Sequence, residues 1–114
     1  MANIYLNAKK DLTTNTVTTL YTCPANSRSI VKSLLVSDDS GSGDTITVTL
    51  FDGDPASANG FVLFKTKAVS ADETLQLLTE PLVMMESEVL QVTAATADRL
   101  YVVASVLEMN REDR

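Results

Sequence analysis

Short runs in which apolar and polar residues alternate recur along the chain, and residues typical of turns separate them. The clearest run covers residues 45–50, where Ile46 and Val48 point to one side and threonines point to the other. A period of two residues is that of a β-strand with one face on a core. Turn-forming residues precede this run, and Asp, Gly and Pro follow it over residues 52–55. The segment therefore predicts a half-buried strand.

Other runs of the same character bring the predicted total to eight strands. They cover residues 3–9, 17–22, 29–37, 61–69, 73–78, 89–94 and 100–107. In the run 29–37, alternation places Ile30, Leu34 and Val36 on one face, and Val31 and Leu35 on the other. Because both faces carry apolar residues, this run indicates a central strand or one covered by a neighbouring subunit.

Two segments leave a helix open as an alternative. The apolar residues of 100–107 also fit helical spacing, with Asp98 as a cap. The strand is favoured because valine and tyrosine lose rotamer freedom in a helix. Residues 81–92 could begin with a short helix, since Pro81 suits the first helical position.

Short strands without a long helix between them are typical of antiparallel sheets that pack face to face or close on themselves. We therefore predict an all-β fold, an antiparallel β-sandwich that is jelly-roll-like and has about eight strands. A Greek-key sandwich of immunoglobulin type is the main alternative, although the chain lacks the Trp of that fold. The 114 residues predict a single domain over 1–114. Within it, residues 1–12 form an N-terminal arm or edge strand and 108–114 a charged tail.

The composition disfavours several classes of partner. The net charge is −6, whereas nucleic acids and anionic membranes attract clustered Lys and Arg. No segment approaches the ~18 apolar residues of a membrane span, and no signal peptide is evident. The single cysteine, Cys23, has no partner within the chain. These features fit synthesis in a reducing cytoplasm.

The residues of catalytic sites are largely missing. The chain has no histidine, which excludes Ser-His-Asp and Cys-His nucleophile systems as well as His/Cys zinc sites. Cys23 is interpreted as a small buried hydrophobe rather than a reactive thiol. We predict no catalytic, metal-binding or cofactor-binding residue and no enzymatic activity.

Acidic loops between residues 38 and 54 leave calcium binding open. Asp38, Asp39, Asp44, Asp52 and Asp54 could supply oxygen ligands if the loops met in space. The same residue types are common in ordinary β-turns, which is the favoured interpretation.

Two terminal segments are candidates for contacts with a partner. Ile4, Tyr5 and Leu6 lie near the N-terminus and could form an edge strand or an arm that adds to a neighbour. Arg111 and Arg114 lie in the charged tail, where they could form ion pairs with another protein. We predict these five residues as partner-binding.

One sequence pattern resembles that of small bacteriophage virion proteins of β-sandwich type. It consists of Tyr-Thr-Cys-Pro-Ala-Asn at residues 21–26 followed by the alternating run 29–37. Leu-Leu-Thr-Glu-Pro-Leu-Val at 77–83 and Val-Leu-Gln-Val-Thr-Ala at 89–94 resemble the second half of such proteins. The resemblance covers roughly residues 17–107.

The resemblance implies a structural role in the virion, most simply as a capsid decoration (cement) protein. Such a protein would bind the major capsid protein, or another virion protein, and would be a homo-oligomer, with a trimer favoured at three-fold seams. A tail, neck or fibre component is one alternative. A carbohydrate-binding or lectin-like module is another, because jelly rolls host many of these.

Overall fold

The computed structural model describes residues 2–110, and the regular structure within them is entirely β-strand. In chain order the strands are β1 (Ala2–Leu12), β2 (Thr18–Thr22), β3 (Ser27–Asp38), β4 (Asp44–Phe51), β5 (Gly60–Val69), β6 (Thr74–Gln76), β7 (Leu82–Met84), β8 (Val89–Ala94) and β9 (Leu100–Asn110). All eight predicted strands are present, and the short β7 is an addition. It lies where a short helix was the alternative, and residues 100–107 belong to a strand as predicted.

The strands form two antiparallel sheets. One has the order β1-β9-β3, with β6 and β7 both pairing with β3, and the other has the order β2-β8-β4-β5. The pairings are nested, since β1 pairs with β9, β2 with β8, β3 with β6 and β7, and β4 with β5. A long hairpin rolled up in this way is a jelly roll. The predicted fold class is confirmed, and the immunoglobulin-type alternative is wrong.

One hydrophobic core lies between the two sheets. The fully buried side chains of the five-stranded sheet include Leu34, Val36 and Val102, and those of the four-stranded sheet include Ile46 and Val48. Each such side chain contributes roughly 1.5–3 kcal/mol by leaving water. The other members of the core are Leu12, Leu20, Tyr21, Cys23, Val31, Val69, Leu77, Met84, Leu90, Val92, Ala94, Leu100, Ala104 and Val106.

A β-bulge in β3 corrects the predicted faces of this strand. The register with β9 shifts between Val31 and Ser33, so that one extra residue, Lys32, interrupts the alternation. As a result Val31 is fully buried and Ile30 is on the outer face, the reverse of the sequence prediction for these two residues. Leu34 and Leu35 keep their predicted opposite sides because both follow the bulge.

The carboxylate of Asp38 organises the loops at one end of the sandwich. It accepts hydrogen bonds from the Ser40 hydroxyl (2.6 Å) and from the backbone N–H groups of Ser40, Gly43 and Asp72. These bonds, chiefly that from the Ser40 hydroxyl, hold the pKa of Asp38 well below its ordinary value. The loop after β3 is thereby attached to the turn after β5.

Candidate assembly surface

The outer face of the five-stranded sheet carries a row of apolar side chains across four strands. Tyr5 of β1 is paired with Leu107 of β9, Leu107 with Ile30 of β3, and Ile30 with Val83 of β7. Directly paired residues point to the same side of a sheet, so these four side chains are neighbours. Tyr5 is 75% exposed and Val83 56% exposed, whereas Ile30 and Leu107 are half-buried.

Further apolar residues lie on the same face on either side of this row, although the polar residues Asn7, Ser105 and Ser33 separate it from the pair of Val103 and Leu35. Val103 of β9 is paired with Leu35 of β3 on the same side, and Met109 follows Leu107 at the next outward position. We call the surface the apolar face; it comprises Tyr5, Ile30, Leu35, Val83, Val103, Leu107 and Met109. Apolar side chains grouped on the outer face of a sheet, with some of them largely exposed, are typical of an interaction site.

Basic side chains border the apolar face although the chain as a whole is acidic. Lys9 is paired with Val103 and Arg28 with Met109, and Lys32 projects from the bulge beside Tyr5. All three are exposed, so three of the nine basic residues lie on one face of a chain with net charge −6. The arrangement favours a partner that presents apolar residues together with carboxylates.

Two shallow grooves also open on this side of the molecule. One, of about 290 Å³, is lined by Tyr5, Asn7, Lys32 and Ser105, among others. The other, of about 410 Å³, is bordered by residues that include Lys9 and Tyr101. Grooves next to exposed apolar residues would accommodate side chains of a partner.

The outer face of the four-stranded sheet is different in character. We call its polar part, on β2, β4 and β8, the threonine face; it comprises Thr19, Thr45, Thr47, Thr49, Gln91 and Thr93. On β5 the same side carries Val62, which is paired with Thr49 and is 54% exposed. Two hydrogen bonds of the threonine face lie within the sheet: Gln91 Nε2 donates to Thr19 Oγ1 (3.0 Å), and the backbone N–H of Thr66 donates to Thr47 Oγ1 (3.1 Å). Hydroxyl groups that face water in this way need no protein partner.

The predicted partner-binding residues are placed differently from one another. Ile4, Tyr5 and Leu6 belong to β1, which is paired with β9 at one edge of the five-stranded sheet. Tyr5 lies on the apolar face, Leu6 packs against the core, and Ile4 is 45% exposed on the inward side opposite Glu108. Arg111 and Arg114 lie outside the described residues.

Sequence reasoning missed Val83 and Leu107 as members of the apolar face. Residues 101–107 contain apolar residues at both inward and outward positions, as 29–37 does, and this double pattern was the available signal. Of the two adjacent methionines, Met84 is buried in the core and Met85 is 42% exposed.

A polar network joins the inner faces of the two sheets at one end. The Tyr21 hydroxyl on β2 donates to Glu108 Oε2 on β9 (2.5 Å) and lies 2.7 Å from Ser29 Oγ on β3. Burial, together with the Glu108 carboxylate, raises the pKa of Tyr21 well above its ordinary value. In the part of the chain that the structure describes, every buried side-chain nitrogen or oxygen has a hydrogen-bond partner. The network therefore holds the sheets together without a strained or unpaired group.

Cys23 lies at the edge of this network. Its Sγ is 3.3 Å from Ser29 Oγ, and the side chain is fully buried. Burial raises the pKa of the Cys23 thiol, so little thiolate forms near neutral pH. The interpretation of Cys23 as a small buried residue is confirmed.

The acidic loop residues serve the turns in which they lie. Four of the five aspartates accept backbone N–H hydrogen bonds: Asp38, Asp44 from Thr96, Asp52 from Asn59, and Asp54 from Ala56. Asp39 accepts instead from the Tyr101 hydroxyl (3.0 Å), which raises the pKa of Tyr101. Among residues 2–110, no cluster of three or more potential metal-ligating side chains occurs. Nor does this part contain a helix that could span a membrane.

No protein-family model matches the chain, and no curated protein matches its sequence. Its fold is similar to that of a chain in the T13 particle of infectious bursal disease virus, with a TM-score of 0.58, 13% identity, and coverage of 93% of this chain and 30% of the viral chain. The VP2 subviral particle of that virus matches with a TM-score of 0.51 and 12% identity, over 94% of this chain and 32% of the viral chain. A subunit of Bacillus endospore appendages, which form disulfide-linked pili, matches with a TM-score of 0.57 and 9% identity, over 96% of this chain and 87% of the subunit.

These similarities concern the fold. The chain has a β-sandwich of the kind found in viral capsid proteins, and it spans less than a third of the length of the viral chains named above. It spans most of the length of the pilus subunit. One sandwich fold thus occurs in proteins that build closed shells and in proteins that build filaments.

Proposed function

We propose that this protein is a non-enzymatic structural component of a phage particle, most simply a capsid decoration protein. The observation that carries the proposal is the apolar face, bordered by Lys9, Arg28 and Lys32. In the isolated chain this surface leaves Tyr5 and Val83 largely in water, at a cost in free energy that a partner would relieve.

The partner in this proposal is the major capsid protein or another virion protein. Its docking surface would combine apolar side chains, to fit the row from Tyr5 to Val83, with carboxylates that pair with the bordering cations. Binding across a seam between capsid subunits would stabilise the assembled shell, because a ligand that binds only the assembled form shifts the equilibrium toward it.

Cryo-electron microscopy of purified particles, combined with mass spectrometry of their proteins, tests the proposal. We expect this chain at regular positions on the outside of the shell, with the apolar face turned toward capsid subunits. Its absence from the particles, or an apolar face left in water on the bound protein, would overturn the proposal.

A tail, neck or fibre component is the second candidate. It is favoured by the similarity to the pilus subunit, of which the match covers 87%, against 30% for the capsid chain of the T13 particle. The same images discriminate the two candidates, since density confined to the tail or neck would support the second and exclude the first.

A carbohydrate-binding role would require exposed aromatic side chains, and the outer side of the five-stranded sheet carries two, Tyr5 and Tyr101. Tyr101 is paired with Asp11, which lies six residues after Tyr5 along β1. About 20 Å therefore separates the two rings. Single sugars would bind them independently. Calorimetric titration with a glycan panel that gave no heat with the wild-type chain would remove this candidate.

A further inference from the structure

The jelly roll leaves strand edges open, and they differ in how well they are protected against pairing with another strand. β2 has only five residues and a bulge, and β6 and β7 have three residues each. β5 has ten residues, but its register with β4 is irregular at two points and Thr66 has a positive φ of 49°. Short strands, bulges and bends all discourage the addition of a further strand.

The remaining edge, β1, carries none of these protections over most of its length. It has eleven residues, all paired with β9 in one unbroken register. Its sequence contains no Gly or Pro, and its first charged residue is Lys9. Within the described residues β1 pairs only with β9, so alternate residues direct their N–H and C=O groups away from the sheet. Such a long, regular edge favours strand addition.

The sequence of β1 is complementary to itself in the antiparallel direction. With a two-fold axis at Asn7, all eleven residues overlap and residue 7 + n lies opposite residue 7 − n. On the outer side, Lys9 of the second copy then lies opposite Tyr5, which gives a cation–aromatic contact, and Asp11 lies opposite Asn3. The charged residues 9–11 thus meet only the uncharged half of the other strand, and no like charges lie directly opposite.

The inward side of the same register is also favourable. Lys10 of the second copy lies opposite Ile4, which is itself paired with Glu108 on β9. A separation of two strands is about 10 Å, so the lysine ammonium approaches the buried Glu108 carboxylate. Leu6 lies opposite Ala8, and both pack partly against the core of their own copy.

We propose that β1 pairs with β1 of a second copy of this chain, in an antiparallel register centred on Asn7. The two five-stranded sheets then form one continuous sheet, and the two apolar faces lie side by side on a single surface. This two-fold contact differs from the trimer predicted from the resemblance. It concerns the purified protein and holds whether or not the protein is found on a virion.

The first part of the test is the mass of the purified wild-type chain in solution, measured by sedimentation equilibrium over a wide concentration range. We expect twice the mass of one chain at high concentration, with dissociation on dilution. A chain that stays monomeric at every concentration, or that forms a trimer, would overturn the proposal.

The second part tests the register with Asn7→Cys and its matched control Asn3→Cys. Both positions are exposed, and the native Cys23 is buried. Under mild oxidation Asn7→Cys should form a disulfide-linked dimer, because the two residues face each other at the axis. In the same register the two copies of residue 3 lie about 26 Å apart, so Asn3→Cys should not cross-link. Equal cross-linking of both variants would refute the register.

This pair of experiments fails independently of the proposed function. Particle imaging decides where the protein resides, while sedimentation and cross-linking decide how two copies meet. A dimer that is absent from particles would refute only the proposed function, and a monomer found on capsids would refute only the β1 contact.

Discussion

The two outer faces of this sandwich have the same backbone architecture and opposite surface chemistry. The threonine face has hydroxyl and amide groups, some of which bond to one another, as between Gln91 and Thr19. The apolar face instead presents a row from Tyr5 to Val83 with lysines and an arginine at its border. Both sheets contribute inner side chains to the shared core, although β5 stays exposed over most of its length and Phe61 is 53% exposed. The difference teaches that the fold gives the outer side of β2, β4 and β8 a polar surface and gives the five-stranded sheet an apolar surface suited to a partner.

The largest expected effect is on the free energy of unfolding, and it differs between two adjacent residues of β3, one on the inner side and one on the outer side. Leu34 is fully buried, so Leu34→Ala should lower the free energy of unfolding by about 2–5 kcal/mol. Leu35 is half-buried on the apolar face, and Leu35→Ala should cost about 1 kcal/mol or less. Urea denaturation of both variants measures the difference. Similar losses would mean that the apolar face is already covered in the isolated protein.

The next effect compares the two outer faces directly. Val83→Glu places a carboxylate on the apolar face, where docking would bury it without a partner, so incorporation into particles should fall at least about tenfold. Thr93→Glu adds the same charge to the threonine face and should leave incorporation unchanged. Quantitative mass spectrometry of particles gives the copy number of each variant. Normal incorporation of Val83→Glu would show that the protein docks through a surface other than the apolar face.

A smaller effect concerns the network that joins the inner faces of the sheets. Because folding raises the pKa of Tyr21, the folded state holds the phenolic proton more tightly, and stability should fall as the pH rises above the ordinary value of 10.0. Tyr21→Phe should cost about 1–2 kcal/mol at neutral pH, by removing a partner of Glu108 and Ser29, and should make the alkaline decline shallower.

Thermal melts at a series of pH values between neutral and alkaline measure this dependence. Tyr5→Phe is the matched control, because Tyr5 is 75% exposed and lies on the apolar face rather than between the sheets. It should melt like the wild type throughout. If Tyr21→Phe retained the full alkaline decline, the network would not be its source.

The smallest expected effect tests the cations at the border of the apolar face. Lys32→Gln should weaken attachment to particles about two- to fivefold, since exposed ion pairs contribute little individually. Lys67→Gln on β5 removes the same charge away from this face and serves as the control. Release of the protein from particles in rising salt compares the two variants. Equal release would show that charge at position 32 has no part in docking.

Much of this architecture could be predicted from the chain alone, and parts of the candidate site could not. Tyr5 was predicted as a contact residue, and apolar residues on both faces of 29–37 indicated a strand with a second covered side. Val83 and Leu107 were not predicted, because their membership depends on which strands lie beside Ile30. Arg111 and Arg114 stay a prediction, since they lie outside the described residues.

The sequence by itself determined where the strands are and that they pack as a sandwich. Alternation of apolar and polar residues is a local property that reflects the period of the backbone, so each strand can be recognised without its neighbours. The tertiary structure decided which strands pair and which side of each faces the core. At Lys32 the extra residue exists only relative to the ladder of β9, and it exchanged the sides of Ile30 and Val31. Pairing between distant segments, which no local pattern encodes, therefore created the apolar face.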